Sequence, residues 1–205
     1  MLPISTLEQF KTDFCMFGRI NGDRRPITPS SPLSLLQDVG TCYFAVAVAR
    51  SSSSFGFDGL KGKRSCHTGM GKSTGWNLPI GALLESGTLT WEGPSVEPIQ
   101  QAVSRFFKES CVPGAKDIPG LSVVTKKKLC QLCKGQGENF CIKNTHEPYY
   151  GYHGAFSCLK DNVGEVAFVK HITVKEETTG RSFINFIQLF VIMLHHRRHD
   201  AFTLL

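Results

Sequence analysis

An α/β fold is what the sequence predicts, from two strand-like apolar runs, two helical patterns between them, and a glycine-rich stretch with hydroxyls and a lysine where a loop would open a helix. The first run is CYFAVAVAR, residues 42–50, which mixes small, β-branched and aromatic residues until SSSSFGFDG breaks it. After the glycine-rich stretch, Trp76, Ile80, Leu83 and Leu84 recur at helical spacing, and Pro79 is expected to bend that helix. A second helix is predicted from Ser95, read as its N-cap, with Val96, Ile99, Ala102, Val103, Phe106 and Phe107 on one face. EVAFVKHITV, residues 165–174, is the second strand candidate. Residues 1–40 carry PITPSSPLSLL, which can continue neither a helix nor a central strand and reads as a linker or poorly ordered segment.

The chain has 205 residues and a formal charge of +6, and its basic excess lies within residues 41–175, where 16 Lys and Arg face 10 Asp and Glu. That excess suits an anionic ligand but is too dilute for a nucleic-acid surface. Lys126, Lys127 and Lys128 form the only basic run, without interleaved aromatics, and are read as a solvated loop. Of eight cysteines, six (Cys66, Cys111, Cys130, Cys133, Cys141 and Cys158) cluster between residues 66 and 158. Only Cys130 and Cys133 have zinc-knuckle spacing, so disulfides and an oxidising compartment are the better reading. MLPISTLEQFKTDFCMF lacks the pattern of a signal peptide. SFINFIQLFVIML, residues 182–194, falls short of the ~20 residues of a membrane span and is read as a buried or irregular segment.

CHTGMGKSTGW, residues 66–76, has the glycines, lysine and hydroxyls of a nucleotide-binding P-loop. The position that needs the first glycine is Cys66, the preceding LKGKRS reads as too charged for a buried strand, and EVAFVKH does not end in a magnesium-holding aspartate. What remains is a hydroxyl, glycines, a cation and a helix N-terminus, which suits a small oxyanion.

RSCHTGMGKSTGWNLPIGAL resembles the transferrin family, and the resemblance extends through TCYFAVAVAR, GLKGKRSCHTG, RFFKESCVPGA, KLCQLCKG and YYGYHGAFSCLKDNVGEVAFVKHITV. These blocks cover residues 41–175, while 1–40 and 176–205, the latter an apolar and basic tail, match no block. The resemblance implies one incomplete, disulfide-bonded subdomain of a two-subdomain clamshell of the periplasmic-binding-protein type (type II), which closes over Fe³⁺ and a synergistic carbonate. It implies a secreted protein, a receptor as a partner of the full-length form, and no enzymatic activity. No nucleophile activated by a neighbouring base is suggested by spacing, and Ser51–Ser54 read as a polar turn.

By the same resemblance the iron ligands of this stretch are Tyr43 and Tyr152, phenolates suited to a hard trivalent ion. The anion site falls on the Thr68 hydroxyl and the backbone N–H groups of Thr74 and Gly75, with Lys72 where the familiar iron carriers have arginine. An ammonium is a point charge and lacks the two-pronged grip of a guanidinium, so weaker anion and iron holding is expected. Lys170 matches one member of a lysine pair that acts as an acid trigger in some transferrins, and neighbouring His171 is read as a surface histidine. The implied disulfides are Cys66 with Cys158, Cys111 with Cys133, and Cys130 with Cys141, which leaves Cys15 and Cys42 over. The family's aspartate and histidine ligands have no matching block, so the chain is expected to be a partial lobe. His195, His196 and His199 are read as part of a solvated tail. The alternative function is a transferrin-fold protein with a degenerate iron site that binds or inhibits a protein partner, and Lys72 is the residue that favours it.

Overall fold

The computed structural model describes residues 45–177 and the backbone of 187–191. Among these, the strands are β1 (Ala45–Arg50), β2 (Arg64–His67), β3 (Glu109–Cys111), β4 (Val166–Lys170) and β5 (Ile187–Val191). They form one open sheet in the order β3-β2-β4-β1-β5. β2 runs parallel to β3 and to β4, whereas β1 lies antiparallel to β4 and β5. Parallel neighbours need long crossovers. Helices α1 (Leu78–Glu85) and α2 (Ile99–Phe106) lie between β2 and β3, and α3 (Val123–Cys130) and α4 (Gly151–Lys160) between β3 and β4. Helix α5 (His171–Glu177) follows β4 directly.

Side chains alternate across a strand, and here both faces are buried. Val46, Val48, Cys66, Ala167 and Val169 pack with Ala155, Phe156 and Leu159 of α4. The intervening positions of β2 and β4 turn the other way, where the His67 ring stacks on Phe168 and meets the edges of Trp76 and Phe107. Double burial explains why β1 and β4 read as nearly continuous apolar runs.

At the end of the sheet where β1 finishes and β4 begins, charged side chains hold the neighbouring backbone. The Arg50 guanidinium donates to the Leu159 carbonyl at 2.8 Å. The Glu165 carboxylate accepts from the Arg64 backbone N–H at 3.0 Å and pairs with the Arg64 side chain. Three disulfides tie the layers together, Cys66–Cys158, Cys111–Cys133 and Cys130–Cys141. Glu147 is buried, and its carboxylate accepts from the N–H groups of Lys134, Gly135, Cys141 and Tyr149 at 2.8–3.2 Å. A carboxylate satisfied by several backbone donors organises an irregular segment without needing a cation.

Several expectations are corrected. LKGKRS does lead into a buried strand: its charge ends at Arg64, the first residue of β2, and Ser65, Cys66 and His67 are fully buried. The second helix starts at Ile99 and not near Ser95, because Pro98 disfavours helical geometry at Glu97, and Val96 is left 64% exposed. Lys126, Lys127 and Lys128 are helical, on α3, whose N-cap Ser122 accepts from the Thr125 N–H at 3.1 Å. The strand in EVAFVKHITV stops at Lys170, and His171 is buried at the start of α5, not on the surface. Part of the 182–194 stretch, 187–191, adds an antiparallel strand beside β1. Residues 1–40, Cys15, Cys42 and the histidines of the tail lie outside the described residues. Among the described residues no helix is long and apolar enough to cross a membrane.

Candidate functional site

Three parallel strands deliver their carboxyl ends to one edge of the sheet, and in open α/β sheets that edge is where ligands bind. β2 ends at His67, and Thr68 opens the loop. Positive φ at Gly69 (142°) and Gly71 (72°) turns the chain back into a wide helical turn, Ser73–Asn77, which continues as α1. The Lys72 carbonyl accepts from both Trp76 N–H at 2.8 Å and Asn77 N–H at 3.1 Å, which makes this turn a π-type turn. The N–H groups of Thr74 and Gly75 precede that first helical bond, at the positive end of the helix dipole.

Thr68 is fully buried, and its Oγ1 has no hydrogen-bond partner among the described residues. A buried hydroxyl left unpaired costs free energy, so it marks a place where an acceptor is missing. Gly75 sits directly against it: a Cβ there would lie 1.9 Å from Thr68 Oγ1 and 2.7 Å from its Cβ and Cγ2. Gly75→Ala is therefore expected to cost about 2 kcal/mol by overpacking. Urea unfolding of the single variant and of Gly75→Ala with Thr68→Ala checks this, the second change restoring part of the loss by removing Oγ1 and Cγ2 while the 2.7 Å approach to the residue 68 Cβ remains. Equal stability of wild type and Gly75→Ala would refute the contact.

Helix α4 brings Tyr152 to the same loop. Gly151, at φ 78°, donates its N–H to the Thr68 carbonyl at 2.9 Å, and Cys158 on α4 is bonded to Cys66 on β2. Tyr152 Oη accepts from the Thr74 hydroxyl at 3.1 Å. The Lys170 ammonium, at the end of β4, lies 4.9 Å from the centre of the Tyr152 ring. Lys72 does not point along the helix start; its ammonium lies 4.2 Å from the centre of the Tyr150 ring, a cation–π contact. Tyr149 is of a different kind. Burial, together with its O–H donating to Asp161 at 2.9 Å, pushes its phenol up to about 12, so it stays protonated.

Of the residues singled out from sequence, Thr68, Thr74, Gly75, Tyr152 and Lys170 are brought together here, and Lys72 lies beside them on Tyr150. Tyr43 lies outside the described residues. Sequence reasoning missed the side chain of Thr74, the ring of Tyr150 and the whole of His67. His67 shares strand parity with Ser65, which was the available signal, since both had to turn to the same face. A cluster of Cys111, Cys133 and Glu147 has ligand atoms within 4.8 Å of one another, but both sulfurs belong to one disulfide, so it offers no thiolate to a metal.

A family profile described as Transferrin matches residues 25–200. The chain belongs to the transferrin family. It is 58% identical over 137 residues to the serotransferrin of Xenopus tropicalis, a match covering 67% of this chain and 18% of that protein. It is 46% identical over 168 residues to the serotransferrin of Oryzias latipes, covering 80% of this chain and 22% of the relative. Against the ovotransferrin of Gallus gallus the figures are 51% over 136 residues, 66% and 18%. The transferrin match thus spans about a fifth of the length of these relatives. A mixed α/β layer with one open sheet and three disulfides is the transferrin subdomain that the sequence predicts.

Proposed function

We propose that this chain supplies the anion-holding part and the tyrosine ligands of an iron(III) site that works with carbonate, as part of an iron-binding transport protein. The observation that carries this reading is the unpartnered, buried Thr68 hydroxyl set against the Gly75 helix start. One helical turn offers Thr74 and Gly75 N–H groups toward an anion and, through the Thr74 hydroxyl, a hydrogen bond to Tyr152 Oη. Donors for an oxyanion and an oxygen ligand for a hard cation are thereby held in one rigid unit.

The donor set fits the cargo. Tyr43 and Tyr152 would bind as phenolates, and a trivalent cation displaces phenol protons easily. Thr68, with the Thr74 and Gly75 N–H groups, would hold carbonate, and Lys72 would supply the balancing positive charge. Lys170, beside the Tyr152 ring, is the group we assign to acid-triggered release. Three disulfides support an oxidising, extracellular setting, where a receptor would meet the full-length protein.

The test is to add Fe³⁺ with bicarbonate and record the visible tyrosinate-to-iron band. The band is expected in the wild type and lost in Tyr152→Phe. A colourless mixture would refute iron binding by this chain and favour the protein-partner alternative. Lys72→Arg is expected to slow iron release about tenfold, the equivalent of ~1.4 kcal/mol, by replacing a point charge with a two-pronged grip. Release at the wild-type rate would remove Lys72 from the anion site.

A further inference from the structure

We propose that His67 is a positioning residue for the anion loop, holding the Gly75 carbonyl and through it the direction of the Thr74 and Gly75 N–H groups. The inference rests on the anion reading above and adds to it a side chain that touches neither anion nor iron.

The need for such a tether follows from two residues of the helix. In an α-helix the Gly75 carbonyl would accept from the N–H of residue 79, and residue 79 is proline, which has none. Gly75 must be glycine, because any Cβ would collide with Thr68. Glycine is also the residue whose backbone torsions are least restrained. The turn that presents the N–H groups is therefore loosest at the point where it must be most exact.

His67 donates to that carbonyl. Its Nδ1 lies 2.9 Å from the Gly75 carbonyl. A carbonyl oxygen can only accept, so Nδ1 carries the proton and the lone pair is on Nε2. Nε2 lies 3.0 Å from Ser65 Oγ, which therefore donates to it, and Ser65 Oγ lies 2.7 Å from Ser110 Oγ. A buried chain of hydrogen bonds thus runs from β3 through β2 to the helix start. The ring cannot swing away, since it is stacked on Phe168 at 4.9 Å between centroids and meets Trp76 at 5.3 Å and Phe107 at 5.7 Å. Burial lowers its pKa to about 4, which keeps the single-donor tautomer in place at neutral pH.

The experiment compares His67→Phe, which fills the space without a donor, with His67→Asn, whose amide can donate from near the Nδ1 position. Bicarbonate binding to the iron-free chain is followed by titration, and amide exchange is followed residue by residue over 72–77. In His67→Phe we expect bicarbonate affinity to fall at least tenfold and the Trp76 and Asn77 N–H groups, both bonded to the Lys72 carbonyl, to exchange at least tenfold faster, with β1 and β4 unchanged. His67→Asn is expected to stay within threefold of wild type in both. Wild-type behaviour of His67→Phe, or equal losses in both variants, overturns the proposal. If His67→Phe does not fold, His67→Gln takes its place, because its donor falls nearer the Nε2 position and points toward Ser65. If wild-type protein binds no bicarbonate, the anion reading fails, and the exchange pattern still decides the role of His67.

Discussion

Replacing Cys66 and Cys158 together with alanine is expected to lower the free energy of unfolding by about 4 kcal/mol, the largest loss among the three disulfides of the described residues. The two residues are 92 positions apart, so the bridge closes a long loop, and the chain-entropy cost it removes from the unfolded state grows with loop length. Removing Cys130–Cys141, which spans only 11 positions, is expected to cost less, about 2–3 kcal/mol. The native state loses something as well. Both sulfurs are buried in the core between the sheet and α4, and Gly164 is glycine because a Cβ there would lie 2.2 Å from Cys66 Sγ. Urea unfolding of the two double variants is the measurement. A larger loss from the short bridge would show that native packing, and not loop closure, sets these energies. Because Cys66 precedes Thr68 by two residues, the long bridge also holds the anion loop beside α4. Its removal should therefore weaken bicarbonate binding in protein that is still folded.

The second large effect is a pH dependence. His67 has its pKa lowered from 6.5 to about 4 by burial, opposed in part by its bond to the Gly75 carbonyl. A depressed histidine pKa means that the unfolded chain takes up the proton first. Stability is therefore full above pH 6.5, falls as the pH drops toward 4, and loses no more to this group below that. The difference of about 2.5 pKa units corresponds to roughly 3 kcal/mol. Carboxylates titrate in the lower part of the same window, so the informative quantity is the difference between wild type and His67→Asn. Unfolding free energies measured at several pH values should converge for the two proteins as the pH falls. Parallel curves would show that His67 takes up its proton over the same pH range in the folded and the unfolded chain, so that burial does not depress it.

What could be read from the sequence was set by how each residue is buried. β1 and β4 were legible because central strands covered on both faces need apolar residues at every position. β2 was not, since its three buried residues, Ser65, Cys66 and His67, include two polar ones that are satisfied by each other and by Ser110 and Gly75, pairings that only the fold creates. The helix after the anion loop was legible from its apolar spacing, but not its π-type first turn, which depends on one carbonyl accepting two N–H groups. Pro79, read as a bend, also lacks the N–H that an α-helical Gly75 carbonyl would use. At the site, the roles of Tyr152 and Thr68 were legible only through resemblance of whole blocks, because a lone tyrosine or threonine carries no pattern. Lys72 was legible as a cation, while its resting place on Tyr150 depends on a residue 78 positions away that only folding brings near.

β4 is five residues long, which sets its two ends roughly 13 Å apart. Glu165 with Arg64 and Arg50 occupies one end of the sheet, and Lys170 with Tyr152 and Thr74 the other. Changes at such a separation, without shared partners, are expected to add rather than couple. The domain can therefore be stabilised at one pole and retuned for its ligand at the other, each in ignorance of the other.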